Sequence, residues 1–131
     1  MANEFKGRGN LGQDPELRNV EVEGEARQVC ALRIYFDRQV PNGEEFEDRG
    51  GFWLDADLWG PRAEDAARVL RKGMRLYVEG SLAQHTWKDK ETGGDRARLT
   101  LRADYLALDL GRVESVVLRA RGGDLFEPAA G

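Results

Sequence analysis

The stretch FWLDADLW, residues 52–59, decides the fold of this chain because its apolar and polar side chains alternate with a period of two. Such alternation is typical of a β-strand that buries one face against a core. The residues predicted to point inward are Leu54, Ala56 and Leu58. The residues predicted to point outward are Trp53, Asp55, Asp57 and Trp59. Two indole side chains are therefore expected on the exposed face of a single strand.

Three further runs alternate in the same way, and they predict strands over residues 29–36, 74–78 and 96–103. The side chains predicted to face the core are Cys30, Leu32, Ile34, Phe36, Met74, Leu76, Val78, Ala97, Leu99, Leu101 and Ala103. Those predicted to face outward are Val29, Ala31, Arg33, Tyr35, Arg75, Tyr77, Arg96, Arg98, Thr100 and Arg102. The outward set is mainly basic or aromatic.

One segment, residues 61–72, has helical spacing instead, with Pro61 at its start and Gly73 directly after its end. Residues 89–95 have the composition of a hairpin loop, and residues 41–51 that of a longer polar loop. Strands on both sides of one short helix predict an all-β fold, the OB-fold, which is a five-stranded Greek-key barrel.

Two parts of the chain are predicted. Residues 1–110 form the OB-fold domain, and residues 111–131 form a partly ordered C-terminal extension. The apolar segment 113–118 is expected to pack as an extra strand or to form a subunit contact.

The composition excludes several classes of function. A chain of 131 residues with net charge −4 forms one domain and does not coat nucleic acid by bulk charge alone, although basic residues are in excess from residue 66 onward. One histidine and one cysteine cannot form the usual zinc site or a Cys-His nucleophile, so we expect no metal, no cofactor and no enzymatic activity. Without a long apolar run or a signal peptide, a cytoplasmic protein with no membrane partner is expected.

The run GRGNLG, residues 7–12, matches the glycine pattern of dinucleotide-binding proteins. That pattern requires a buried strand before it and a helix after it. Only six residues precede Gly7, and Gln13-Asp14-Pro15 follow Gly12, so neither requirement is met. We interpret these glycines as parts of a strand end and a turn.

The outward aromatic residues favour binding of single-stranded nucleic acid, because indoles on an exposed sheet can stack on successive bases. The candidate stacking residues are Trp53, Trp59 and Trp87. Basic side chains on the same strands would contact phosphates, namely Arg33 beside Tyr35, Arg75 beside Tyr77, and Arg96 with Arg98. Alternatively, the tryptophans fill a core or a subunit interface, and the arginines belong to a solvated face. Asp55 and Asp57 are expected to weaken binding because carboxylates repel phosphate.

The chain resembles the bacterial single-stranded-DNA-binding protein family. The resemblance rests on GNLGQDPELR at 9–18, WG at 59–60 with AE at 63–64, LRKG at 70–73, YVEGSL at 77–82, and WKD at 87–89 ahead of GDR at 94–96. It implies an OB-fold protein, typically a tetramer, that binds strands exposed in replication, recombination and repair. It also implies base stacking at Trp53, Trp59 and Trp87, and basic contacts at Arg71, Lys72 and Arg96.

The chain departs from the family pattern at several places. FKGRG, residues 5–9, stands where an apolar first strand is usual, which is expected to alter subunit pairing. Asp55, Ala83, His85 and Thr86 stand where basic residues are common, so lower affinity is expected. The acidic C-terminal tip is missing, so we expect a divergent member.

Several partners and two other functions stay open. The expected partners are single-stranded DNA and further copies of the chain, as a tetramer or dimer, with replication or recombination proteins as possible additional ones. The alternative functions are a dimeric primosome-type adaptor and a structural or assembly subunit with an OB-fold.

Overall fold

The computed structural model describes residues 3–120 of the chain. Eight strands and two short helices follow one another in this part. The strands are β1 (Asn3–Leu11), β2 (Glu16–Val22), β3 (Glu25–Phe36), β4 (Gln39–Asn42), β5 (Glu45–Asp48), β6 (Phe52–Trp59), β7 (Arg75–Lys88) and β8 (Asp95–Leu108). The helices are α1 (Pro61–Val69) and a 3₁₀ turn, η1 (Leu110–Arg112).

Five of these strands close a ring. β1 pairs with β3, β3 with β6, β6 with β8, β8 with β7, and β7 returns to β1. Every pairing in the ring is antiparallel except that of β6 with β8, which is parallel. The ring confirms the five-stranded barrel that the alternating sequence predicts, and it leaves no open edge between its first and last strands.

The interior of the barrel is apolar, as the alternation predicts. All four residues expected to point inward from β3 and all three from β6 are buried. Leu76 and Val78 of β7 and Leu101 and Ala103 of β8 complete the interior. Helix α1 joins this core through three further buried side chains, Ala63, Ala66 and, directly after the helix, Leu70. Burial raises the pKa of the Cys30 thiol to about 11, consistent with a small core residue.

A tight hairpin joins β2 to β3. Its two central residues, Glu23 and Gly24, have φ angles of 53° and 83°. Two positive φ angles in a two-residue loop match the right-handed twist of the flanking strands. Glycine adopts a positive φ at low steric cost, which favours this conformation at the second position. The hairpin carries β2 alongside β3, outside the ring.

Some predicted boundaries differ from the structure. The predicted polar loop 41–51 contains part of a two-stranded hairpin formed by β4 and β5. Helix α1 ends at Val69 rather than at residue 72, because Leu70 has extended backbone with ψ 148°. The strand predicted over 74–78 is longer and runs to Lys88.

Two predictions about side-chain direction are wrong for parts of the sheet. Ala97 and Leu99 were expected in the core but are exposed, Leu99 by 47%. Their part of β8 pairs only with β7, in a hairpin that extends beyond the ring and has no core beneath it. Val29 was expected outside but is buried, because β2 and β6 flank it with Arg18 and Trp59.

The C-terminal segment forms no extra strand. Residues 113–120 have no regular structure, and Val116, Val117 and Leu118 are exposed, so that prediction is wrong. A subunit contact through this segment and a domain boundary at residue 110 stay predictions. Residues 121–131, the last part of the predicted C-terminal extension, lie outside the described residues. No helix in residues 3–120 has the length and apolar character to cross a membrane.

Candidate nucleic-acid interface

The outward side chains of β3, β6, β8 and the second half of β7 form one continuous surface, which we call the binding face. Strand register aligns its members, since Tyr35 lies opposite Trp53, Asp55 opposite Thr100, and Trp87 opposite Arg96. The binding face consists of Arg33, Tyr35, Trp53, Asp55, Asp57, Trp59, His85, Trp87, Arg96, Arg98, Thr100 and Arg102. It brings together all three predicted stacking tryptophans.

The Trp53 side chain is contacted on three sides by protein groups, and the rest of its surface faces solvent. Its ring lies 5.2 Å from that of Tyr35, and the Arg33 guanidinium carbon lies 5.3 Å from its centroid. Gly12, just after β1, lies so close that a Cβ atom there would overlap the indole. The side chain is nevertheless 48% exposed. A base could therefore stack on an indole whose position is already fixed.

Tyr35 is fixed by the β4–β5 hairpin. Its hydroxyl donates a hydrogen bond of 2.7 Å to Asp48, which raises the pKa of the phenol and lowers the pKa of the carboxyl. The backbone N–H of Arg38 donates to the same carboxylate. The hairpin that the sequence did not predict is thus attached to the aromatic pair of the binding face.

Two carboxylates lie between Trp53 and Trp59 along β6, and their surroundings differ. Asp55 pairs with Arg33 through one oxygen and with Arg98 through the other, each at 3.1 Å. Asp57 has no ion pair or side-chain hydrogen bond with any residue between 3 and 120. Burial raises the pKa of Asp57, with the nearby charge of Arg18 acting in the opposite direction.

Trp87 lies near the tip of the β7–β8 hairpin and is 43% exposed. Its ring stacks on that of His85, with centroids 5.6 Å apart and 23° between the planes. Opposite it, the Arg96 guanidinium donates to Asp89 at 2.9 Å, and Asp89 also accepts from backbone N–H groups of the hairpin loop. Arg96 thus organises the loop next to the exposed indole.

Trp59 is partly buried at the opposite end of β6. It lines a cavity of about 540 Å³ together with Arg27 and Gln28 of β3, Pro61 of α1, and Arg102 of β8. Sequence reasoning missed Arg27 and also Arg18, whose β2 position places it near Asp57. The turn signal Glu23-Gly24 between two alternating runs could have predicted the hairpin that carries both.

The structure does not place Arg75 or Tyr77 on the binding face. Arg75 donates two hydrogen bonds, of 2.7 and 3.1 Å, to Asp37, whose side chain is only 5% exposed. Burial, which alone would raise the pKa of Asp37, is outweighed by these bonds, so its pKa is lowered. Tyr77 lies between Arg8 of β1 and Ala107 of β8, on another part of the barrel surface.

Arg71 and Lys72 lie on the connection between α1 and β7. The Arg71 guanidinium donates to the carbonyls of Ala67 and Leu70, so it satisfies the C-terminal end of the helix. The backbone N–H of Lys72 donates to Asp14 after β1. Both residues line a separate cavity of about 820 Å³, formed with residues of the segment 108–117. No tryptophan lines this cavity, so Arg71 and Lys72 are candidates for contacts with a ligand that extends beyond the binding face.

Comparison with known proteins agrees with this geometry. The model of the Single-strand binding protein family matches residues 3–109. The chain belongs to this family. Membership makes it a non-enzymatic single-strand-binding protein, as the sequence predicts.

The chain is similar to curated proteins of the same family. Single-stranded DNA-binding protein 1 of Synechocystis is 30% identical over 100 residues, which are 76% of this chain and 77% of the relative. The single-stranded DNA-binding protein of Thermosynechococcus vestitus is 36% identical over 102 residues, covering 76% and 78%. The crystal structure of a small single-stranded DNA-binding protein from Streptomyces coelicolor has a TM-score of 0.71 at 18% identity, covering 86% of this chain and 98% of that one. This structural similarity confirms the predicted OB-fold.

Proposed function

We propose that the binding face holds single-stranded DNA by stacking bases on Trp53, Trp59 and Trp87 and by contacting phosphates with arginines. The observation that carries the proposal is the alignment of all three tryptophans on one face, with two of them nearly half exposed. An exposed indole on a sheet is costly unless it serves a partner, and every base offers a stacking surface. Binding should therefore tolerate most sequences.

Three of the four arginines of the binding face are already paired within residues 3–120. Arg33 and Arg98 share Asp55, and Arg96 pairs with Asp89. A phosphate must compete with these carboxylates, so each arginine gains less on binding DNA than a free one would. We infer that stacking supplies most of the affinity and that the affinity is moderate.

We also propose that the chain works as a homo-oligomer, a tetramer or a dimer, in the cytoplasm during replication, recombination or repair. The exposed apolar segment Val116, Val117 and Leu118 supports an association between copies, because exposed apolar patches commonly mark interfaces. Val116 and Val117 also line the cavity that Arg71 and Lys72 line. Light scattering that shows only monomer at micromolar concentration would contradict this part of the proposal.

The test of binding is a titration of intrinsic tryptophan fluorescence with oligo-dT at several salt concentrations. Stacked indoles should be quenched, and affinity should fall as salt rises. A duplex of equal length is the control, and it should bind more weakly. Equal or tighter binding of the duplex would refute single-strand binding through this face.

A further inference from the structure

We propose that Asp57 reads the edge of a stacked base by accepting a hydrogen bond from an exocyclic amino group. The binding face would then favour cytosine over uracil or thymine. This inference rests on the proposed function, because it requires a base to be stacked beside Trp59. It adds a base preference to binding that otherwise tolerates sequence.

The position of Asp57 suits this role. It lies two residues from Trp59 on the same face of β6, a separation of roughly 7 Å along the strand. Its neighbour across β3 is Ala31, and its neighbour on β8 is Arg102. The small Ala31 side chain leaves room above the sheet. A base stacked on the indole would thus have its edge within reach of the carboxylate.

The charge surrounding Asp57 differs from that of Asp55. Asp55 is neutralised by Arg33 and Arg98, both at 3.1 Å, whereas Asp57 makes no such bond with the rest of residues 3–120. Asp57 is also partly buried, and burial raises its pKa. A carboxylate with reduced hydration and no protein donor gains when a ligand supplies a donor. Phosphate cannot do this, because it is an anion and carries no proton to donate at neutral pH.

Among the parts of a DNA strand, the bases supply suitable donors. An ionised carboxylate only accepts hydrogen bonds, and aspartate commonly accepts from the N4 amino group of cytosine. Uracil and thymine present the O4 carbonyl oxygen at the same place, which the carboxylate repels. Cytosine and uracil are equal in size and differ at two adjacent edge positions, because uracil also carries a proton on N3 that cytosine lacks. A carboxylate that accepts from N4 therefore favours cytosine, whereas one that accepts from N3 favours uracil.

The test compares oligo-dC with oligo-dU of equal length, near neutral pH, by fluorescence titration. Three proteins are used, namely the unmodified chain, Asp57→Asn and Glu64→Gln. The unmodified chain should bind oligo-dC about two- to tenfold more tightly, the range of one net hydrogen bond. Asp57→Asn should lose this preference, because a carboxamide both donates and accepts. Glu64→Gln removes one exposed carboxylate on α1, outside the binding face, and should keep the preference.

Each outcome decides between the claims. Equal affinities of the unmodified chain for the two oligomers would overturn the role of Asp57 while leaving single-strand binding in place. A preference that persists in Asp57→Asn would also overturn it. Absence of binding to either oligomer by the unmodified chain would overturn the proposed function itself. Because the first comparison uses the unmodified chain, the test does not depend on the folding of a variant.

Discussion

Replacing Trp87 with alanine should separate binding from stability. The side chain is 43% exposed and lies on a hairpin with no core beneath it, so its main neighbours are His85 and Arg96. Loss of such cross-strand contacts costs about 1 kcal/mol of stability or less. Loss of one stacked base costs about 1–3 kcal/mol of binding free energy, which raises Kd about five- to a hundredfold. The affinity should therefore change far more than the melting temperature.

The chain offers a matched control for this variant. Leu99 is 47% exposed and belongs to the same hairpin, but it alternates to the opposite side from Trp87. Leu99→Ala removes a comparable apolar surface without touching the binding face. Oligo-dT titration and thermal unfolding on the same samples should show weaker binding for Trp87→Ala alone.

Two results would refute this reasoning about Trp87. A loss of about 3–5 kcal/mol in the free energy of unfolding would mean that the indole is a core residue. Unchanged melting temperature together with unchanged affinity would mean that Trp87 neither stacks on DNA nor packs in the fold.

Three further predictions follow from contacts of the barrel. Gly12→Ala should weaken oligo-dT binding several-fold, because the added Cβ overlaps the Trp53 ring and displaces it; unchanged affinity would contradict a role for that indole. Asp37→Asn should cost about 1–3 kcal/mol of unfolding free energy, because Arg75 loses its nearest charged partner and keeps only Asp109, at 3.9 Å. The lowered pKa of Asp37 means that this stability is present above about pH 4 and is lost below it, so the two proteins should converge in acid unfolding. Asp55→Asn should tighten oligo-dT binding at low salt, because it releases Arg33 and Arg98 for contact with phosphate. The plot of log binding constant against log salt concentration should become steeper by roughly 0.7 for each arginine released. An unchanged slope would show that these arginines do not contact phosphate.

The strands that alternate strictly could be predicted from the sequence. Over residues 29–36 and 53–59, β3 and β6 sort their side chains as predicted apart from Val29, and this alone placed Trp53 and Trp59 on the outer face. β1 and β2 escaped prediction because charged residues in both strands, together with two glycines in β1, dilute their alternation. The β4–β5 hairpin escaped because Pro41 and its polar neighbours have the composition of a loop.

The partners of charged residues could not be predicted in the same way. Arg75 is predicted to point outward from its strand, as a residue that contacts phosphate would. Its actual partner, Asp37, is distant in sequence and could not be inferred from the alternation. A pattern of period two gives the face on which a side chain lies but not the strand beside it. The same limit hid the pairing of Asp55 with Arg33 and Arg98, which needs the register of three strands.

That pairing explains how a chain of net charge −4 can bind a polyanion. Because Arg33 and Arg98 neutralise Asp55, the middle of the binding face repels phosphate less than its sequence suggests. The same bonds hold the two guanidinium groups beside the sheet, and Arg33 also rests against Trp53. The two arginine side chains then lose less conformational freedom when a DNA strand binds. This smaller entropic cost offsets part of the electrostatic attraction that is lost through their pairing with Asp55. We therefore expect stacking on fixed indoles to be the dominant contribution, one that depends little on base sequence and only moderately on salt.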